Sequence, residues 1–244
     1  MAAAVARARV ASLSLACLAA ALACATATTP ERPHIPGQFQ SDLRWVVTKP
    51  TNSTQQGHIK SDAIANRAIF QHYASDGGDT GRTLTTLYRY DMQRLFSIVP
   101  PAFCSTRNVS TGTVDWWHWV SDEGGLAEYA GEETVLGMRA DVWRSSGIVH
   151  GTTMTLAVDS RNVNVPLRFS VASVSSNTAF DMYYIGFAAV RLTEEDFAVP
   201  DFCPANPLGQ GQGRQLAHAE DDARTAALAA HVSLAASEAA AALL

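Results

Sequence analysis

The residue types that carry out catalysis are present in this chain, but not at spacings typical of an active site. The sequence has no G-x-S-x-G turn, no H-E-x-x-H helix and no glycine-rich phosphate loop. Four of the seven histidines are scattered between residues 58 and 150, and two aspartates stand alone at the ends of predicted strands: His58, His72, His118, His150, Asp159 and Asp181. We therefore predict that the protein is not an enzyme and has no catalytic residues.

Acidic residues suggest a metal in two places, calcium in the first and an unspecified metal in the second, and neither pattern matches a known site. Asp76 and Asp79 lie in a Gly-rich loop, but their spacing does not fit an EF-hand and no glutamate closes the loop. His118 lies near Asp115 and Asp122, although one histidine with two carboxylates on a loop is more often structural or solvated. We predict no metal site and no cofactor, with calcium as the weaker alternative.

The first 25 residues are typical of a secretory signal peptide. Arg7 and Arg9 precede an apolar stretch that ends in Ala23-Cys24-Ala25. A membrane anchor is the weaker alternative, because it needs about 20 apolar residues with suitable flanks. We predict a protein that is secreted or lies in the lumen of the secretory pathway. Cleavage of the signal peptide removes two arginines and no acidic residue, which moves the formal net charge from -5 to -7. Because no cluster of basic residues remains, nucleic acid is not a predicted partner.

Two cysteines remain after the signal peptide, Cys104 and Cys203. An even pair in an oxidising compartment favours a disulfide, with two free buried thiols as the alternative. Closing a loop of about 100 residues stabilises by about 4–5 kcal/mol in the chain-entropy model. The secretory context also makes Asn52 and Asn108 candidate glycosylation sites, since each begins an N-x-Ser/Thr triplet.

The clearest structural pattern lies between residues 131 and 169. Runs of five to eight residues alternate apolar and polar side chains there, separated by Gly, Ser, Asn and Pro. One run is Thr153 to Asp159, and a turn from Asn162 to Pro166 leads into the next run. Such runs predict antiparallel strands in a meander, with the large side chains of each run on one face. Further strands are predicted at 39–48, 57–62, 67–73, 83–90, 94–99, 169–174 and 181–190, with tight turns at 62–66 and 91–93. A polar loop is predicted directly after Cys104.

A cluster of three tryptophans follows Cys104. Trp116, Trp117 and Trp119 cannot all face one side of a strand. In a short helix or turn, some of them must meet solvent, a ligand or a partner. Two interpretations stay open, a bulky plug that closes the open end of the sheet and a mobile aromatic lid over a ligand.

Composition divides the chain into four segments. Residues 1–25 are the signal peptide, 26–37 a Pro-rich leader, 38–204 a β domain, and 205–244 a tail that is first Gly/Gln-rich and then Ala-rich. Alanine favours a helix in that tail, although it offers few large side chains for packing, so we expect it to be loosely held or disordered. A GPI-attachment signal is the weaker alternative, because His231 and Glu238 interrupt the apolar stretch.

Several short motifs between residues 38 and 203 resemble ependymin-related proteins. They are Trp45, the turns from Asp62 to Arg67 and from Tyr90-Asp91 to Arg94, Cys104, the run from Gly137 to Trp143, Val165-Pro166-Leu167-Arg168, and the closing Phe197 to Cys203. The family is similar in fold to LolA-like and LppX-like lipoprotein carriers. The resemblance implies an all-β fold with minor helix, in which two antiparallel sheets curve into an open half-barrel around an apolar pocket. It also implies secreted glycoproteins that bind hydrophobic ligands, some of them associated with calcium and the extracellular matrix.

We therefore predict a carrier that binds a lipid or fatty acid inside a curved sheet. Ten large side chains are predicted to line the pocket: Trp45, Leu87, Phe96, Trp117, Trp119, Trp143, Leu156, Val158, Phe169 and Tyr184. Arg94 and Arg168 are candidates for contact with a polar head at the rim. The alternative is an adhesion or matrix glycoprotein, whose sheet is filled by its own side chains and which binds a cell-surface or matrix partner. A hydrolase assembled from scattered His and Asp residues comes third.

Overall fold

The computed structural model describes residues 29–50, 52–73, 84–99, 103–109, 112–122, 124–146, 151–174 and 176–203. The predicted signal peptide, the alternative calcium loop at Asp76 and Asp79, and the tail from residue 205 lie outside the described residues. In the described part of the chain, no helix is long and apolar enough to cross a membrane.

Within those ranges the chain forms eleven strands and three single-turn 3₁₀ helices. The strands are β1 Gln38–Lys49, β2 Ser53–Asp62, β3 Arg67–Tyr73, β4 Leu84–Arg89, β5 Arg94–Val99, β6 Phe103–Asn108, β7 Glu128–Val135, β8 Met138–Ser145, β9 Thr152–Asp159, β10 Asn162–Ser173 and β11 Thr178–Ala189. The 3₁₀ turns are Tyr90–Met92, His118–Val120 and Glu195–Phe197.

All eleven described strands belong to one curved antiparallel sheet, in the order β6-β5-β4-β3-β2-β1-β11-β10-β9-β8-β7. The predicted all-β class with minor helix is confirmed. The expectation of two sheets is wrong, because β1 and β11 pair along most of their length, from Phe39 opposite Ala189 to Lys49 opposite Ala179. This pairing of the first and last strands joins the two halves and leaves β6 and β7 as the edges.

The predicted turns at 62–66 and 91–93 lie between β2 and β3 and between β4 and β5. Two regions differ from the prediction. The sequence predicts a polar loop where β6 lies, because this strand shows little apolar alternation. The strand β10 begins at Asn162, although the sequence predicts a turn up to Pro166. Its register shifts on both sides of Pro166, which fits a residue that cannot donate a ladder hydrogen bond.

One face of the sheet carries a row of large side chains across six neighbouring strands. Successive members sit opposite each other in the strand pairing: Tyr129, Trp143, Leu156, Phe169, Met182 and Trp45. Paired strands lie about 5 Å apart, so these side chains touch in sequence. The row continues into the other half of the sheet through Ile59, Phe70 and Tyr88. We call this side the aromatic face.

The opposite face of β3–β6 is covered by residues 190–203, which we call the C-terminal strap. Phe197 of the strap is fully buried against Leu87 and Phe96. The strap ends in a disulfide between Cys104 of β6 and Cys203, whose Cα atoms are 5.1 Å apart. The predicted pairing is therefore confirmed.

Charged side chains also hold the strap to the sheet. The carboxylate of Glu194 pairs with the guanidinium groups of Arg67 and Arg89, at 2.8 Å for the latter. Lys60 donates from Nζ to Oδ1 of Asp196 at 2.7 Å, and this hydrogen bond lowers the pKa of Asp196 to about 2. The strap is thus attached by a covalent bond at one end and by ion pairs in its middle.

Candidate functional site

Residues 112–122 and 124–127 lie over the aromatic face, and we call them the tryptophan flap. Trp117 and Trp119 are only 6% and 5% exposed, and Trp116 is half-buried. We expected some of the three rings to meet solvent, a ligand or a partner. Instead, all three pack toward the protein, because the flap lies against a curved sheet that accepts side chains from more than one side of the turn.

Ring contacts join the flap to the strands below it. Trp117 meets Phe169 of β10 and Tyr184 of β11 in edge-to-face contacts, with ring centroids 5.7 Å apart in each case. Trp116 lies against Phe70 of β3 with ring centroids 5.3 Å apart. The flap therefore covers both halves of the aromatic face.

The flap is anchored to the rest of the chain by side chains. Asn66, in the turn between β2 and β3, donates from Nδ2 to the carbonyl of Gly112 at 2.8 Å and accepts at Oδ1 from the amide of Val114 at 2.9 Å. Arg32 donates from Nη1 to the carbonyl of Val120 at 3.5 Å. The backbone–backbone hydrogen bonds described for the flap all stay within it. Lifting the flap therefore breaks none of the described strand pairings.

Three buried indole donors in this site lack an acceptor among the described residues. They are the indole Nε1–H groups of Trp117, Trp119 and Trp143. Trp119, like Trp117, contacts Phe169, and the ring centroids of Trp119 and Phe169 are 6.4 Å apart. Trp143 lies two strands away from Phe169 in the row. A buried donor left without a partner costs about 1–3 kcal/mol, so this is an unusual concentration of unsatisfied groups in an apolar cluster.

The titratable groups of the aromatic face are uncharged at neutral pH. His72 stacks on Trp45 with ring centroids 4.9 Å apart, and burial lowers its pKa to about 4. Burial also raises the pKa of Tyr184 and of Tyr88 far above the ordinary value. A ligand would therefore meet a mostly aromatic and uncharged surface here, with the Arg107 guanidinium as a charged neighbour of Tyr88.

Most of the predicted pocket residues meet in this cluster. Seven belong to it and Phe169 packs against it, the seven being Trp45, Trp117, Trp119, Trp143, Leu156, Val158 and Tyr184. Leu87 and Phe96 do not, since both lie under the C-terminal strap on the opposite face. Their neighbours Tyr88 and Leu95 are the ones that face the flap. Because side chains alternate along a strand, a prediction that is wrong by one residue assigns the side chain to the opposite face of the sheet.

The two arginines predicted at the rim lie on the side away from the flap. Arg94 is paired across the sheet with Arg89, in the row that lies beneath the strap. Arg168 forms an ion pair with Glu133, with Nη2 2.7 Å from Oε1. It precedes Phe169, which faces the flap, so its own side chain points to the opposite face. The structure therefore places neither arginine on the aromatic face, and their contact with a polar head at the rim stays a prediction. Asn52 and Asn108 are exposed, and their glycosylation stays a prediction.

Several residues of the site are absent from the sequence-based prediction. Met182 lies between Trp45 and Phe169 in the row. It comes two residues before Tyr184, so both side chains point to the same face of β11, and this spacing is a signal that could have placed Met182 in the site. Asn66, which anchors the flap, carries no such signal, because its two bonds reach residues more than 45 positions away in the chain. In the described part of the chain, no three His, Cys, Asp or Glu side chains form a group that could hold a metal.

The fold and the site together define a class, an all-β protein built on one open antiparallel sheet with an aromatic face under a flap. Comparison with protein-family models and with curated proteins gave no match.

Several solved structures are similar to this chain in fold. An uncharacterised conserved protein from Thermus thermophilus is 15% identical, with 68% of this chain and 87% of that chain covered and a TM-score of 0.43. The Mycobacterium tuberculosis lipoprotein LppX is 8% identical, with 64% and 90% covered and a TM-score of 0.38. A LolA superfamily protein from Nitrosomonas europaea is 13% identical, with 69% and 93% covered and a TM-score of 0.33. The resemblance to ependymin-related proteins stays a prediction.

Proposed function

We propose that this protein is a secreted, non-enzymatic carrier that binds a hydrophobic ligand, a lipid or fatty acid, between the aromatic face and the tryptophan flap. One observation supports this proposal. The row of large side chains across six strands is covered by a segment whose described backbone hydrogen bonds are all internal. A ligand can replace the flap's side chains on this face without breaking a described strand pairing.

The energetics of such an exchange are favourable. Lifting the flap off the aromatic face costs Trp116, Trp117 and Trp119 their contacts with the sheet, at up to about 1.5–3 kcal/mol for each large apolar side chain, the value for full exposure. An acyl chain contributes about 0.8 kcal/mol for each buried methylene, so about twelve carbons contribute about 10 kcal/mol before ordering costs. A long-chain lipid therefore offsets the loss of the flap's own contacts, and a short one does not.

Native mass spectrometry of the secreted protein tests the proposal directly. We expect a mass excess that organic extraction removes, and uptake of a fluorescent fatty acid by the extracted protein. Trp117→Ala should change that uptake, because the ring contacts both Phe169 and Tyr184. Arg161→Ala is a suitable control, since its side chain is 77% exposed and pairs only with Asp159 in the described contacts. No mass excess together with no uptake would exclude the carrier function.

A second function is favoured by the same flap. Its tryptophans already fill the aromatic face, as expected of an extracellular adhesion or matrix glycoprotein that needs no small ligand. Such a protein would bind immobilised matrix proteins through its outer surfaces, with or without calcium, and would carry glycans on Asn52 and Asn108. Solid-phase binding to matrix proteins, with calcium and with a chelator, combined with the mass measurement, distinguishes the two functions. Both functions fit membership of the ependymin-related family.

A further inference from the structure

The three unpartnered indole donors restrict what the ligand can be. Trp117, Trp119 and Trp143 are each at least 94% buried, and each has an Nε1–H group with no acceptor among the described residues. A saturated or unsaturated hydrocarbon has no acceptor and would leave all three groups unsatisfied. A ligand with acceptor oxygens would gain a hydrogen bond at each donor that it reaches.

The charges around these donors argue against an anionic ligand. The rings in contact with Trp117 and Trp143 are uncharged, namely Phe169, Tyr184 and Tyr129. A carboxylate buried among them would lack a counter-ion, which is costly in an apolar environment.

Among the described residues, Arg32 is a cation close to the Trp143 indole, and it is already engaged. The Arg32 guanidinium sits 5.2 Å from the centre of the Trp143 ring. Its Nη1 donates to the carbonyl of Val120, and its Nε lies 3.8 Å from the carboxylate of Asp122. Asp122 would also repel a second carboxylate brought to the same place.

We infer that the ligand is a neutral lipid ester whose carbonyl oxygens accept hydrogen bonds from the indole groups of Trp117, Trp119 and Trp143. The inference rests on the proposed carrier function and names the ligand class for the same site.

Three probes of matched chain length test this inference on the extracted, full-length protein. They are 1-octadecene, methyl oleate and sodium oleate at about pH 8, where the carboxyl group is ionised, each delivered from cyclodextrin and measured by displacement of a pyrene-labelled alkane. We expect methyl oleate to bind about 2- to 12-fold more tightly than octadecene for one hydrogen bond gained. Oleate should bind more weakly than methyl oleate.

Variants that keep an aromatic ring but lack the indole N–H group show which tryptophan donates a hydrogen bond to the ester. Trp117→Phe and Trp119→Phe should each weaken methyl oleate by up to about 12-fold, with a smaller effect on octadecene. Trp45→Phe is the matched control, because Trp45 lies in the same cluster but its indole nitrogen is not among the buried unpartnered donors. It should change the affinities for octadecene and methyl oleate by the same factor.

The outcomes separate the two proposals. Equal affinity for octadecene and methyl oleate in the native protein, or tightest binding of oleate, would overturn the ester assignment and leave the carrier function standing. Failure of all three probes and of the labelled alkane to bind would overturn the carrier function itself. The native protein's order of preference decides the question even where a tryptophan variant does not fold.

Discussion

Arg67 donates two hydrogen bonds to the same carboxylate oxygen of Asp62, from Nε at 3.2 Å and from Nη2 at 3.0 Å. The two side chains are only 8% and 1% exposed. The guanidinium also lies 4.6 Å from the centre of the Phe197 ring and pairs with Glu194, both in the C-terminal strap. The ion pair that closes the turn between β2 and β3 therefore also fastens the strap to the sheet.

Replacing Arg67 by alanine should be strongly destabilising. The change leaves the Asp62 carboxylate buried without a counter-ion, which costs about 3–5 kcal/mol when one partner of a buried pair is removed. Urea denaturation of the native and variant proteins measures the loss. Arg139→Ala is the matched control, since that arginine pairs with Glu132 on the surface, where the two side chains are 68% and 45% exposed, and its loss should cost at most about 1 kcal/mol. Equal losses in the two variants would contradict the role assigned to Asp62.

Gly57 of β2 should not tolerate a methyl group. A Cβ atom there would lie 2.2 Å from the carbonyl oxygen of Gln71 and 2.6 Å from Cζ3 of Trp45. Neither the paired backbone nor a buried indole can move away freely, so Gly57→Ala should lower the free energy of unfolding by about 1–3 kcal/mol. At Gly37 the closest atom would be 3.6 Å away, at Ile64, and Gly37→Ala should stay within about 0.5 kcal/mol of the native protein. Thermal or urea unfolding of both variants checks the pair, and similar stabilities would show that Trp45 can repack.

Local signals were sufficient to predict much of the fold. Alternation predicted β3, β5 and β9 almost to the residue, and the polar turns at 62–66 and 91–93 predicted where two strand pairs meet. These signals depend only on neighbouring residues. The pairing of β1 with β11 depends on hydrogen bonds between the two ends of the domain, so no local pattern reports it.

The face to which each side chain points was less predictable, for a physical reason. Leu87 and Phe96 alternate with Tyr88 and Leu95, and all four are buried. The flap covers one face and the strap covers the other, so alternation between apolar and polar residues is lost in this half of the sheet. Periodicity identifies a face only where the other face meets water. The contacts of Asn66 and Glu194 with distant segments leave no trace in the local sequence.

Removing the disulfide should lower the free energy of unfolding mainly because it raises the conformational entropy of the unfolded chain. Cys104 and Cys203 are 99 residues apart, so the bond removes the closure entropy of a long loop. The double variant Cys104→Ser/Cys203→Ser should lose about 4–5 kcal/mol in the chain-entropy model. Urea unfolding of the double variant beside the oxidised native protein measures this loss. A loss below about 1 kcal/mol would mean that residual structure in the unfolded chain already keeps the strap close to β6.

Stability should fall below pH 6.5 because of His72. Burial lowers the pKa of His72 from 6.5 to about 4, so the unfolded state binds a proton that the folded state excludes between these values. The free energy of unfolding therefore decreases by about 2–3 kcal/mol, because of His72 alone, as the pH falls from 6.5 towards 4. Above pH 6.5 His72 is neutral in both states, so its full contribution to stability is present there. His72→Phe keeps an aromatic ring against Trp45 and removes the titration. The difference in unfolding free energy between native and variant proteins should be constant from about pH 7 to 8.5 and should shift in favour of the variant at lower pH, between the two pKa values. A difference that stays the same over the whole range would show that His72 is not buried as a neutral group, and that water or a charged partner reaches the aromatic face beside Trp45.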